Sequence, residues 1–155
     1  MDTLTTKFTR PKLLETIMDE ISGKDLRTNI LVSHLWAERF MECMIIQKFK
    51  NHNEINRFDF TKKRKILFGL GIINDTRNQD LKILNDIRVE YAHEIHPKHE
   101  KSIKLIKKFK SHPDKKTIQE HHLVDEMTIL GWITILLLGY LMDVFWEIHP
   151  KDEKS

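Results

Sequence analysis

Apolar positions recur at helical spacing along most of the chain, and no stretch alternates as a half-buried strand would. After a loose lead-in over residues 1–9, Pro11 suits a first helical turn. Leu14, Ile17, Met18 and Ile21 follow at helical intervals until Gly23 offers a stop. Asp25 is placed to cap a long helix over 26–49, with Val32, Leu35, Trp36, Phe40, Cys43, Met44 and Phe49 at core-like positions. On that helix His34, Glu38 and Glu42 fall at spacing four and form one polar line. The plainer reading of the line is a solvated face. The sharper one aims Glu38 at a charged group on a neighbouring helix. A turn at 51–53 ends the run, and Thr61 opens a shorter helix through KKRKILFGL, weakened by Gly69 and Gly71 before a turn at 73–75.

The rest of the chain is organised around residues 76–93, TRNQDLKILNDIRVEYAH. Thr76 with Gln79 predicts a capping box. Leu84, Ile87 and Tyr91 make a core stripe, and Leu81, Asn85, Arg88 and Ala92 make a semi-polar line beside it. His96–Pro97 ends or kinks this helix. Helical spacing resumes with Ile103, Ile106 and Phe109, leaving Lys101, Lys104, Lys107 and Lys108 on the wet side. After a turn at 111–114, Thr117 with Glu120 predicts a second capping box and a helix reaching Glu147, about 45 Å long. Gly131 and Gly139 in it read as close-approach points or mild kinks. The pentapeptide EIHPK at 94–98 and again at 147–151 reads as a shared stop signal. The sum is an all-α, antiparallel bundle of four to five main helices with a long apolar C-terminal helix. One domain over 1–155 is expected, its core at about 26–146 and its termini, 1–9 and 149–155, loose.

Composition narrows the class. A 155-residue chain that is 40% hydrophobic and 32% charged can bury a core and is not a disordered polymer. Its single cysteine, Cys43, excludes an internal disulfide and reads as a small buried hydrophobe, in keeping with a reducing cytoplasm. The opening MDTLTTKFTRPK carries no apolar leader core, so no secretory signal is expected. Residues 127–142 are uncharged for 16 positions, short of the roughly 20 a membrane span needs. With acids on both sides, this run reads as a core helix rather than a span. Apolar on all its faces, it wants partners on most sides, and a second subunit is one candidate. Net charge is only +3, but residues 98–116 hold eight lysines against two acids. That segment reads as a solvated face, as a contact for RNA backbone through Lys101, Lys104, Lys107 and Lys108, or as a dock for an acidic protein.

Arg88 and His93 are the candidate chemistry. Five residues along a helix is a rotation of about 140°, so the two do not share a face. They meet if the helix loosens near its end, or if two copies of it meet across a symmetric interface. A cleft of paired arginines and histidines suits a phosphodiester. Arginine forks onto phosphate oxygens, while histidine moves protons near neutral pH. On RNA, a histidine base would free the 2′-hydroxyl to attack phosphorus and a histidine acid would protonate the leaving oxygen, with no metal needed. Asn85 could orient Arg88 or contact phosphate; Asp86 or Glu90 could fix the His93 tautomer; Glu38 could approach from the preceding long helix. By spacing alone, a structural or interface role for the Arg88 and His93 pair outweighs catalysis.

The block FDFTKKRKILFGLGIINDTRNQDLKILNDIRVEYAH, 58–93, resembles the HEPN superfamily, and within it the branch related to the mannitol-operon repressor. The basic KKRK with LFGLGII, the polar turn, and the run from Leu84 through Arg88 to Ala92–His93 carry the likeness. HLWAERFMECMI and the apolar C-terminal helix fit the same fold. The resemblance implies a bundle that dimerises around the arginine–histidine helix. It also implies either a metal-independent ribonuclease of toxin–antitoxin or defence type, or a non-catalytic regulatory domain acting through protein or RNA partners. Arg88 and His93 match the two motif residues. Val89 departs from the polar residue many active members carry there, which counts against catalysis. No cofactor or metal site is expected: His93, His96 and His99 flank a proline, and no H-E-x-x-H or Cys/His framework is present.

Overall fold

The helix α3, Leu26–Lys48, touches four other helices and is the axis of the molecule. This computed structural model describes residues 4–22, 24–49, 53–93 and 99–149. Among them the order is α1 (Leu4–Lys7), α2 (Arg10–Ile21), α3, a 3-10 turn (Ile55–Arg57), α4 (Phe60–Gly69), α5 (Asp75–His93), α6 (His99–Ile106), α7 (Lys115–Glu120) and α8 (Glu126–Ile148). No strand occurs among the described residues.

α2, α4, α5 and α8 pack directly on α3, and α6 bridges α5 and α8. Side-chain pairs give the directions. Arg27 reaches the Tyr91 carbonyl and His34 reaches Asn85, so α5 runs antiparallel to α3. Asn29 lies against Gly131 and Phe40 against Phe145, so α8, delivered through α6 and α7, runs alongside α3 in its own direction. Phe40, Met41, Met44, Leu84, Ile87, Leu137, Leu141 and Phe145 are buried between these helices. α8 is long and apolar enough to cross a membrane, but here Leu130, Ile133, Leu137, Leu138 and Leu141 are core residues. Cys43 is buried, and burial pushes its thiol up.

Short polar side chains start the helices. Asp25, Asp59 and Asp114 each accept the amide of the residue three positions on. Asp125 and Thr128 form a reciprocal capping box at α8. The predicted box at Thr76 and Gln79 is corrected: α5 begins one residue earlier, and Asn74 accepts the Arg77 amide at 2.9 Å. Asp59 likewise displaces Thr61 as the start of α4.

The single helix predicted from Thr117 to Glu147 is two helices. His122 sits at a left-handed φ of 52°. The Leu123 amide bonds back to the Ile118 carbonyl at 3.0 Å, and His122 to Gln119 at 3.4 Å. That is the helix-ending hydrogen-bond pattern for which glycine is usual. With histidine there, the sequence shows no stop. α8 is therefore 23 residues, about 35 Å, rather than about 45 Å. Gly71, at φ 68°, closes α4 in the same way rather than weakening it.

Other apolar expectations shift by one position or turn outward. Leu13 rather than Leu14 joins Ile17 and Ile21 on the buried face of α2, and Leu35 is 63% exposed. Leu4 is buried and helical although it lies in the lead-in, and His149, assigned to a loose terminus, is buried with its ring tilted against Phe145, centroids 4.2 Å apart. A Cβ added at Gly139 would meet nothing within 4 Å, so no close approach occurs there. Gly23, Pro97 and the first EIHPK copy lie outside the described residues.

Candidate functional site

A polar seam runs between α3, α4 and α5. It exists because each helix turns part of its polar line inward. Within KKRK, Lys63 and Arg64 face in while Lys62 and Lys65 face out. The Lys63 side chain is 3% exposed, and its ammonium sits 2.9 Å from Glu38 and 3.3 Å from Glu42. Glu38 thus does point at a charge on a neighbouring helix. Arg39 joins from the same turn, 3.3 Å from Glu42. Two carboxylates around one buried ammonium compensate a charge that would be costly to bury alone.

One turn toward the N-terminus of α3, His34 is buried with its ring stacked on Phe60, centroids 4.1 Å apart. Its Nε2 lies 3.0 Å from Asn85 Oδ1. The amide oxygen accepts there, which places the hydrogen on Nε2. Burial lowers the His34 pKa from its ordinary value of 6.5; the Asn85 bond and Glu38 oppose this, and Arg88 and Lys63 reinforce it. Asn85, read from the sequence as a partner of Arg88 or of phosphate, engages His34 through its Oδ1.

This arrangement sets a pH dependence. His34 stays neutral in the fold where the unfolded chain takes up a proton. Stability is therefore complete above the unfolded value near 6.5 and declines as pH falls below it. His149, also lowered chiefly by burial, acts in the same sense. Urea midpoints of His34→Gln and the parent chain, compared at about pH 7.5 and about pH 5.5, test this. The variant is expected to lose less on acidification; an equal loss would remove His34 as a source.

Other polar groups around α5 are engaged as well. Arg64 donates to Asn78, and burial pushes its guanidinium below the usual arginine range while Asp86 opposes the shift. Glu90 pairs with Lys101 at 2.5 Å, not with His93. Arg27 donates to the Tyr91 carbonyl at 2.6 and 3.2 Å, near the carbonyl end of α5. Tyr91 is core.

α5 is helical through His93, so the loosened end that would swing this residue toward Arg88 does not form. Within one chain the two stay on different faces, Arg88 half-buried near His34 and His93 exposed. No carboxylate pairs with Arg88 among the described residues. The histidine beside Arg88 is His34, which sequence reasoning placed in a polar line without a partner on α5. Among the four lysines expected at nucleic acid, Lys101 is paired with Glu90, Lys104 faces solvent, and Lys107 and Lys108 line a groove between α5 and α6. Lys82 and Lys110 line it too and were not singled out. No cluster of three or more histidine, cysteine or acidic side chains suited to a metal occurs among the described residues.

No family model matches this chain, and no curated protein matches it in sequence. In three dimensions it is similar to a chain in the X-ray structure of the MtlR–HPr complex from Escherichia coli, with a TM-score of 0.63 and 13% identity. The match covers 86% of this chain and 98% of that one. The likeness is one of fold: a helical, mannitol-repressor-like bundle.

Proposed function

We propose that this chain is a non-catalytic regulatory domain of HEPN-like fold, acting in the cytoplasm through a protein partner. The observation that carries this reading is the engagement of Asn85 and Glu90 of α5 by side chains of the neighbouring helices. Asn85 is held by His34 and Glu90 by Lys101, so two of the groups that would support a reaction at Arg88 and His93 are engaged by other side chains. The similar chain comes from a protein–protein complex, which supports a protein as the ligand. The whole chain, 1–155, acts as one domain and pairs with a second copy along α5.

The test is cross-linking of the tagged full chain in its own cells, followed by reconstitution with the purified captured protein. One partner that binds again in purified form is expected. A chain that yields no such partner, and that cuts RNA when purified, would overturn the reading.

A second reading is supported by Arg88, which has no carboxylate partner among the described residues and can meet a phosphate. Two copies brought together along α5 would join two arginines and two exposed His93 rings. That assembly would cleave RNA by 2′-hydroxyl attack without metal.

A further inference from the structure

Between α5 and α6 lies an open groove of about 620 Å³. Lys82 rises from one wall, and Lys107, Lys108 and Lys110 from the other. All four are exposed, and none pairs with a carboxylate among the described residues. On α6, by contrast, Lys101 is paired with Glu90. The groove gathers four unpaired ammoniums against one carboxylate, Asp86, in its lining. Of its apolar lining residues Ile83 and Phe109 are buried, and Leu105 is half-buried and reaches the groove.

The lysine-bearing turn is fixed in place. Asp80, fully buried, accepts the Lys110 amide at 2.6 Å and the Ser111 amide at 3.4 Å. The Ser111 hydroxyl donates to the same carboxylate and accepts from Arg77 at 2.6 Å. Phe109 and Ile106 anchor the turn from below. A buried carboxylate tied to two backbone amides holds Lys107, Lys108 and Lys110 over the groove before anything binds, which lowers the ordering cost of binding.

We infer that this groove is the docking site for an acidic segment of the partner protein, one that sets a small apolar side chain among glutamates or aspartates. The inference rests on the regulatory reading above. Four ammoniums complement carboxylates on either side of the segment, and the half-buried Leu105 meets the anchor between them. Nucleic acid fits less well. Phe109 is 3% exposed and offers no face for a base to stack on. The groove has no arginine to fork onto phosphate.

Fluorescence anisotropy on the full chain tests this with three probes: a peptide with one leucine set among glutamates, a polyglutamate of equal length, and a single-stranded RNA of equal charge. The leucine-bearing peptide is expected to bind most tightly. The double variant Lys107→Glu with Lys108→Glu should weaken it by roughly tenfold to a hundredfold, and Lys82→Glu by about tenfold. Lys104→Glu, exposed on α6 just before the lysine-bearing turn but outside the groove, should change it little. All four positions are solvent-facing, and far-ultraviolet circular dichroism checks that the fold is kept. RNA binding as tight as the peptide, an equal effect at Lys104, or no peptide binding would each overturn the inference. If the double variant keeps the partner found by cross-linking, the groove assignment fails and the regulatory reading stands. If no partner is found and RNA is cut, it is the regulatory reading that fails.

Discussion

Lys63→Ala is expected to lower the stability of the chain by about 3–5 kcal/mol. The ammonium is buried among Glu38 and Glu42, whose side chains are 28% and 13% exposed. Removing it leaves two carboxylates of like charge facing each other across a cavity. The cost comes less from the lost attraction than from anions left desolvated without a counter-charge. Replacing all three residues by leucine should therefore recover most of the loss, since an apolar trio needs no compensation. Urea unfolding with an unchanged slope measures both variants. A single-variant loss below about 1 kcal/mol would mean that water reaches the cluster and that it behaves as a surface pair.

Phe40→Ala should cost a similar amount, about 3–5 kcal/mol. Phe40 and Phe145 are both fully buried, with ring centroids 5.8 Å apart where α3 meets α8. Truncation removes the ring's transfer energy and leaves a cavity walled by two regular helices, which cannot collapse to fill it. For a chain of this length the thermal midpoint should fall by roughly 10 °C or more. Phe40→Leu should cost much less, because most of the volume is kept. Calorimetry of the two variants decides this: equal midpoints would show that the α3–α8 contact is not the centre of the core.

How far the fold was legible follows from what a one-dimensional pattern records. The 3.6-residue period marks which face of α5 is buried, because Leu84, Ile87 and Tyr91 report on their own helix. It does not mark a helix that stops without glycine. His122 takes the left-handed position by virtue of its hydrogen bonds, so α7 and α8 read as one run. The difference between Leu13 and Leu14 is a rotation of one residue, set by how α2 lies on α3.

The site was legible only along single helices. Glu38 and His34 fall on one line of α3, and Arg88 three residues after Asn85 on α5. That His34 and Asn85 join across 51 residues is a fact of packing, with no trace in spacing. KKRK presents four cations in a row, and nothing local tells which two turn inward. Lys82 and Lys110 were overlooked for the same reason: they belong to different elements and meet only across the groove.

The claim beneath all of this is that α5 works by packing and by presenting a surface, not by breaking bonds. The most direct measurement is incubation of the purified full-length chain with total RNA in excess chelator, with the 3′ ends of any product analysed. Intact RNA, from the parent chain and from Arg88→Ala and His93→Ala alike, is the predicted result. Fragments ending in 2′,3′-cyclic phosphate that disappear in both variants, with folding unchanged, would contradict it.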